Sequence, residues 1–475
     1  MLHIREYKKN KHSYISVVPQ TIVPFPNIYP PLGIYLISFL NIKIINKYFG
    51  LMNSLFDFIY FIVLIAVMLW LDIDYSEMLV VGITFIFLPT IFGLNPIHKM
   101  HFNLTWRDLG RLFSTLYFLT ISTSLQVISS PYLLALYSIA ILFFILIFYS
   151  SQFALQCAFF GTITLSILTL NPFIISIPVI ATFLTILFDK KRVFRFYKYK
   201  IGHIKSYYIS LRNSHDQATG DFAFTITHLY DAINALFTGK LKKFRKISSC
   251  DPFLRGIILF PVQVPVIVGL VYINDPISLI LAKWYFAAVV LWFLTLTPIL
   301  KIFGEADRYL EYIGYFPILV GIGYILSYGG IQLNLIKYFI YITCIIQILY
   351  TLRFILPVFI NRRRENRVNI SDKVIDLIKD KNVFPIPFYL AWKTAYIGNC
   401  NVLYPPMLTS TTETTFMSNY PLPNWSNFIE INKKYKIEYI LCESSEILNS
   451  KNKLLESISD KIITDKNFTL FKIKN

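Results

Sequence analysis

Three side chains in the second half of the sequence have the types and the spacing of a phosphate-binding group. Glu305, Arg308 and Tyr309 stand at positions i, i+3 and i+4, so on a helix they share one face. A guanidinium can hold a phosphate through two parallel hydrogen bonds, and a neighbouring carboxylate can orient it. The same spacing fits an interfacial Glu–Arg pair beside an aromatic-belt tyrosine of a membrane protein. The residues themselves leave both interpretations open.

Acidic residues are the second group that could do chemistry. Asp72 and Asp74, with Glu77 close behind, lie in a turn between apolar runs, where paired carboxylates could hold a divalent metal ion beside a phosphate leaving group. Simple solvation of the turn is the commoner role of such residues. Glu6 is the only acid before Asp57, which lies in an apolar run where an ionisable side chain is costly. We take Glu6, Asp72 and Asp74 as candidate general bases.

The composition argues against a soluble nucleic-acid-binding protein. Of the 475 residues, 55% are hydrophobic and only 15% are charged, yet the net charge is +18. A soluble protein would carry such a charge on a mostly polar surface, whereas a multispanning membrane protein carries it in loops on one side. We therefore expect a multi-pass protein of the plasma membrane, with membrane lipids as partners and no nucleic acid. The five scattered cysteines show no metal-ligand spacing.

Apolar runs of about twenty residues predict an all-α membrane bundle in residues 31–360, with about eleven transmembrane helices. Several runs are separated only by Pro-marked turns, which predicts helical hairpins. The expected spans are 31–49, 51–71, 78–94, 112–129, 131–149, 153–170, 172–188, 253–272, 277–300, 312–328 and 332–358. The first of these carries Asn41, Lys43 and Asn46, so an interfacial position is the alternative for 31–49.

Basic residues predict the orientation of this bundle. Lys99, Arg107 and Arg111 fall in one loop, and a larger basic loop covers 189–252. Eleven spans would place these loops on one side, which the positive-inside rule assigns to the cytoplasm. The same count leaves residues 1–30 as the remnant of an extracytoplasmic loop, although this segment is basic. It also puts Arg308 and the C-terminal region inside.

Residues 361–475 predict a small soluble α/β domain. Residues 369–475 contain 13 Lys and 11 Asp or Glu, a net charge of +2, so +16 of the total of +18 belongs to the preceding part of the chain. Strands are expected at 383–386, 401–403, 437–442, 462–464 and 468–473, and helices at 371–381, 388–397, 425–435 and 444–459. The domain lacks a glycine-rich phosphate-binding loop, so a nucleotide site of that kind is not expected.

Three short motifs give the chain a resemblance to a known family. Tyr29-Pro30-Pro31-Leu32 precedes the first apolar run, Arg308-Tyr309-Leu310 is followed by Pro317 in a late run, and the tail closes with 468–473. This order resembles the polytopic C-type membrane glycosyltransferases, which include the protein mannosyltransferases and aminoarabinose transferases. The motifs are short, and together they span most of the chain.

The resemblance implies a function and one difficulty. It implies transfer of a sugar from a polyprenyl-phosphate-linked donor to an extracytoplasmic lipid, glycan or protein acceptor, with Arg308, Tyr309 and Glu305 at the donor phosphate. The family places a catalytic acid in its first outer loop, just after a first span, and no such span precedes residue 30. We therefore expect an upstream helix and its acid to be missing from the sequence; a chain without them could be inactive.

A transporter or flippase of a lipid-linked saccharide is the alternative. Transporters are typically built from matching halves with charges inside the membrane. Here Lys283 and Lys337 are the clearest charges within the apolar runs, and no two halves match. The sequence therefore favours the transferase.

Overall fold

The structure, a computed structural model, describes residues 2–12, 20–22, 31–88, 107–127, 131–213, 222–240, 242–244, 247, 251–258, 260–297, 300–303, 306–362, 370–386, 390–403, 428–443, 457–464 and 468–474. The chain divides into two compact units. One combines Met1–Asn27, Ile34–Asn46 and Asn361–Asn475, and the other consists of Ile28–Gly33 and Lys47–Ile360.

Helices make up the larger unit and the N-terminal segments of the smaller unit, as far as the structure describes them. In chain order from the N-terminus they are α1 (Leu2–Lys9), α2 (Leu32–Ser38), α3 (Ile42–Trp70), α4 (Tyr75–Ile86), α5 (Arg107–Gln126), α6 (Leu133–Ser150), α7 (Gln152–Thr169), α8 (Ser176–Asn213), α9 (Phe222–Phe237), α10 (Pro252–Ile258), α11 (Gln263–Ile273), α12 (Pro276–Thr295), α13 (Asp307–Ser327) and α14 (Asn334–Arg362), of which α1 and α2 belong mainly to the smaller unit. Six segments of the described chain are long and apolar enough to cross a membrane, which makes this a multi-pass helical membrane protein. About eleven spans are not confirmed.

Side-chain contacts show that successive long helices alternate in direction. Tyr60 of α3 meets Phe316 of α13 at 5.7 Å between ring centres, and further along both helices Met68 lies beside Gly323, so these two helices are parallel. Side-chain contacts between the other neighbouring helices give their directions in the same way. Helices α3, α5, α7, α11 and α13 begin at one end of the bundle, called here the proximal end. Helices α4, α6, α8, α12 and α14 begin at the opposite, distal end.

Helix α13 is the centre of the bundle. Within its most apolar stretch 83% of the residues are buried, compared with 28% in α6 and 22% in the segment that contains α14. Helix α5 is also interior, which explains why it carries many hydroxyl side chains. Thr120 and Thr123 donate hydrogen bonds to backbone carbonyls four residues earlier, so these polar groups are satisfied within the helix.

The predicted hairpin turns are confirmed where the structure describes them. Asn274 ends α11 in the left-handed region (φ 56°), and Asp275 caps α12 through a capping box with Ser278. At the α7–α8 turn, Leu170 has φ 53° and the Asn171 side chain accepts a hydrogen bond from the backbone N–H of Phe173. Local capping chemistry is sufficient to reverse the chain at both turns.

Residues 31–49 do not form the continuous span that the sequence predicts. Helix α2 begins directly after Pro31 and ends after seven residues at Ser38, far too short to cross a bilayer. Helix α3 then begins at Ile42 and continues through Gly50, where the sequence predicts a break. The polar Asn41 and Lys43 at the start of α3 are the physical reason, because they disfavour hydrocarbon.

The five predicted strands of the C-terminal domain are confirmed. They are β1 (Asn382–Ile386), β2 (Asn401–Val402), β3 (Tyr439–Glu443), β4 (Ser459–Thr464) and β5 (Phe468–Ile473), in the sheet order β2-β1-β3-β5-β4. The pairs β1/β2 and β1/β3 are parallel, and β3/β5 and β5/β4 are antiparallel.

Helices cover both faces of this sheet. Val383 packs with the residues of α15 (Asp372–Ile378) and α16 (Ala391–Gly398), and the next residue, Phe384, packs with α17 (Phe428–Tyr435) on the other face. The alternation follows from the two-residue period of a strand. Burial raises the pKa of the Cys400 thiol in this core to about 12, so the thiol stays protonated at neutral pH. The predicted helix at 444–459 lies largely outside the described residues.

The N-terminal segment is part of the same unit as the sheet. Thr21 pairs with Val402 as a short parallel extension beyond β2, with Val402 donating to the Gln20 carbonyl at 3.0 Å. Helix α1 packs on α16, and Arg5 donates to the Tyr396 carbonyl at 3.2 Å and to the Gln20 side chain at 2.8 Å. The first residues of the chain therefore complete the edge of its C-terminal domain.

Replacing Arg5 by alanine should loosen this edge. The substitution removes charge-assisted hydrogen bonds, each contributing about 1.5–3 kcal/mol. Hydrogen–deuterium exchange of peptides covering 20–22 and 391–403 should therefore accelerate roughly tenfold or more. Lys11→Ala, on the exposed end of the same segment, is the matched control. Unchanged exchange in Arg5→Ala would contradict the docking.

Candidate functional site

The site predicted around Arg308 lies at the proximal start of the central helix. The Arg308 side chain is partly exposed, and its guanidinium carbon stands 5.2 Å from the ring centre of Phe153 on α7. Tyr309 is buried, and its hydroxyl accepts a hydrogen bond from Gln156 Nε2 at 2.6 Å. Glu305 lies outside the described residues. Arg308 thus remains accessible, while Tyr309 is engaged in packing α13 against α7.

An irregular turn follows these residues immediately. Leu310–Gly314 forms a five-residue π-helical segment inside α13. Such turns insert one extra residue and often occur at functional sites. Gly314 ends the segment against α12, where an added Cβ would stand 3.2 Å from Ala288. Glu311 lies in this segment, three residues after Arg308 and partly buried.

A buried ion cluster lies in the same half of the bundle. Arg111 of α5 pairs with Asp57 of α3 and with Asp108 on its own helix, the latter at 3.5 Å. Its side chain is only 4% exposed, and the guanidinium lies 5.3 Å from the ring centre of Tyr60. The sequence prediction that Arg111 belongs to a basic loop is therefore wrong, because two carboxylates stabilise its charge inside the bundle.

The cluster contains more acidic than basic side chains. Asp57 and Asp108 face Arg111, and Glu311 is near enough to act electrostatically on it. The buried Arg111 Nε has no hydrogen-bond partner among the described residues. Charges inside a membrane domain are expensive and mark functional positions more often than structural ones. The cluster could therefore take part in binding a charged or strongly polar group.

The structure does not bring the other predicted acids to Arg308. Asp72 and Asp74 lie in the exposed distal turn between α3 and α4, at the opposite end of the bundle. The Asp74 backbone N–H donates to Ser327 Oγ at 3.2 Å, and Glu77 accepts from the Tyr341 hydroxyl at 3.3 Å. Across the described segments, no three His, Cys, Asp or Glu residues converge as a metal site.

The remaining predicted residues belong to the N-terminal segment. Glu6 pairs with Lys9 at 3.1 Å and with Arg5 at 3.5 Å, so it is engaged within the smaller unit. Tyr29 and Pro30 lie outside the described residues, and Pro31 directly precedes α2. Their proposed roles stay predictions.

Comparisons with known proteins add no identification. Neither the protein families nor the curated proteins that were searched include a significant match to this chain.

The sequence contained a signal for the ion cluster that pattern reading missed. Asp57 lies 13 residues before the distal end of α3 at Trp70, and Arg111 lies 15 residues before the distal end of α5 at Gln126. At 1.5 Å per residue these positions have similar depths. Opposite charges at equal depth in two apolar helices predict a pair once the helices are known to be neighbours.

Breaking the buried pair from one side should destabilise the protein strongly. Arg111→Leu leaves buried carboxylates uncompensated, which costs about 3–5 kcal/mol. The double variant Asp57→Leu, Arg111→Leu should recover part of this loss. The measurement is the fraction of detergent-purified protein that remains monodisperse after heating.

Arg192→Leu is the matched control for this comparison. Arg192 pairs with the partly exposed Asp189 at 3.7 Å. Loss of such a pair costs at most about 1 kcal/mol. Equal heat resistance of Arg111→Leu and Arg192→Leu would show that the buried pair does not hold the bundle together.

Proposed function

We propose that this protein is an integral membrane glycosyltransferase that takes a sugar from a polyprenyl-phosphate donor. The observation that carries the proposal is the position of Arg308 at the proximal start of the central helix, partly exposed and followed by a π-helical turn. The residues around it agree in type with the motif resemblance to the polytopic C-type glycosyltransferases. Arg308 would neutralise the phosphate of the donor.

The reaction needs one bond formed and one broken. An acceptor hydroxyl oxygen attacks the anomeric carbon, the bond from that carbon to the phosphate oxygen breaks, and polyprenyl phosphate leaves with the electron pair. The acceptor proton passes to a carboxylate. Asp307 and Glu311 are the described acids closest in sequence to Arg308; Asp307 is buried and Glu311 only partly buried, whereas Asp72 and Asp74 lie at the distal end. Glu311 is therefore the stronger candidate for that carboxylate.

The exterior of the bundle suits a donor with a long isoprenoid chain. Large apolar side chains remain exposed along the outer helices, for example Leu142 at 53% on α6 and Leu349 at 61% on α14. In a bilayer these surfaces contact lipid, and an isoprenoid can approach between helices from the same apolar phase.

Transport of a lipid-linked saccharide is the second candidate, favoured by the buried charges of Asp57, Asp108 and Arg111. Transporters often carry paired charges near broken helices at their substrate sites. Lys337, which the sequence suggested as an intramembrane charge, donates instead to the carbonyls of Leu326 and Tyr328 at the distal turn, both at 2.8 Å.

We further propose ten membrane crossings. The chain leaves the smaller unit at Asn46 and returns to it at Asn361. A folded soluble unit lies on one side of a membrane, so the number of crossings between these residues must be even. The ten alternating helices α3–α8 and α11–α14 satisfy this condition, whereas eleven spans do not.

Sugar transfer should depend on Arg308. In membranes containing the protein and a panel of radiolabelled polyprenyl-phosphate sugars, Arg308→Ala should lower transfer by about a hundredfold or more, because one charge-stabilising donor is lost. Arg308→Lys should retain part of the activity. Arg353→Ala is the matched control, since Arg353 is exposed near the proximal end of α14.

Two results would count against the transferase. Normal turnover in Arg308→Ala would exclude Arg308 from the site. Absence of turnover with every donor, together with movement of an intact lipid-linked saccharide across a proteoliposome bilayer, would favour the transporter.

The two ends of the chain should lie on the same side of the plasma membrane. In a cysteine-free background, Lys11→Cys and Lys461→Cys should react alike with an impermeant maleimide, both in intact cells or both only in inverted vesicles. Opposite reactivity would contradict an even number of crossings. If the acceptor is extracytoplasmic, both cysteines should be labelled in intact cells, a result that the positive-inside rule does not predict. Labelling only in inverted vesicles would exclude an extracytoplasmic acceptor at Arg308.

A further inference from the structure

Helix α9 carries an apolar stripe that no described part of the protein covers. The stripe follows helical spacing, with two of its members, Tyr230 and Phe237, exposed at 71% and 85%. Its six residues are Ile226, Leu229, Tyr230, Ile233, Leu236 and Phe237.

The opposite face of α9 is fixed to the protein. Ala232 and Ala235 are buried there, and His228 Nδ1 lies 3.0 Å from Asp251 Oδ2. Asp251 also accepts hydrogen bonds from the backbone N–H groups of Phe253 and Leu254, so it caps α10. These contacts therefore hold α9 with its apolar stripe facing away from the bundle.

Basic residues follow the stripe at the C-terminal end of α9. Lys240, Lys242 and Lys243 follow α9, and all three are exposed. Lys243 contacts Asp231 at 3.2 Å, which holds this basic end near the polar side of the helix.

The second half of α8 repeats the pattern. The helix kinks at Asp189 (φ −144°, ψ 57°), and Lys190 and Lys191 follow. Beyond the kink, Phe194 and Ile201 are 60% and 67% exposed on one face. Apolar stripes bordered by lysines are typical of helices that lie in the membrane interface, with the stripe in the acyl region and the cations at lipid phosphates.

We propose that α9 and the part of α8 after Asp189 lie in the plane of the membrane surface and bind phospholipid through these stripes. Both segments lie between the proximal end of one predicted span and the start of the next, which keeps them close to the bilayer. These two helices would then form a membrane-bound layer within the basic loop 189–252 that the sequence predicts. The proposal does not depend on the reaction that the protein performs.

The test uses the full chain, free of native cysteines, in proteoliposomes. A nitrobenzoxadiazole label is attached at Tyr230→Cys or Ile233→Cys on the stripe, and at Thr227→Cys or Asn234→Cys on the exposed polar side as matched controls. Brominated phospholipid should quench the stripe labels at least about threefold more than the controls, and aqueous iodide should show the reverse order. Two positions per face keep the comparison available if one variant fails to assemble.

Two outcomes would overturn the proposal. Equal quenching of stripe and control labels by iodide would show that the helix lies in water. Protection of the stripe from both quenchers, with crosslinks between chains at Ile233→Cys, would show that a second copy covers it.

Discussion

A single guanidinium inside the helix bundle constrains much of what surrounds it. Arg111 can remain charged there only because Asp57 and Asp108 stand beside it, and this pairing requires α3 and α5 to meet at that depth. The pairing joins two helices that flank the central α13, where Glu311 extends the same electrostatic field. The polar character of α5 follows from its interior position, since few of its side chains contact lipid.

A second constraint comes from the chain ends. Because residues 20–22 extend the sheet beside β2 and Arg5 binds at the end of α16, the two termini share one folded unit. A unit of this kind lies on one side of a membrane, and the ten crossings that we propose would also bring the basic residues near the N-terminus to the side of the other basic loops. With eleven spans, the basic N-terminal segment would lie on the opposite side from the other basic loops; with ten, it would lie on the same side.

Sequence patterns predicted the elements whose signal is local. The strands of the C-terminal domain and the turn at Asn274-Asp275 were recognisable because alternation and capping depend on neighbouring residues. The prediction of a continuous span at residues 31–49 was wrong, because average hydrophobicity does not reveal that the helix stops at Ser38. Around Arg308, the sequence identified the residue type, but its contact with Phe153 and the π turn beyond it depend on packing against α7 and α12.

The sequence by itself determined that this is a helical membrane protein with a small α/β domain, because hydrophobic runs and strand alternation are properties of consecutive residues. Only the tertiary structure decided that Arg111 is buried beside Asp57, that the acids of the α3–α4 turn lie far from Arg308, and that the first residues complete the last domain. Each of these is a contact between residues that are distant in the chain. Their energy comes from charge pairing and burial, which no local pattern records.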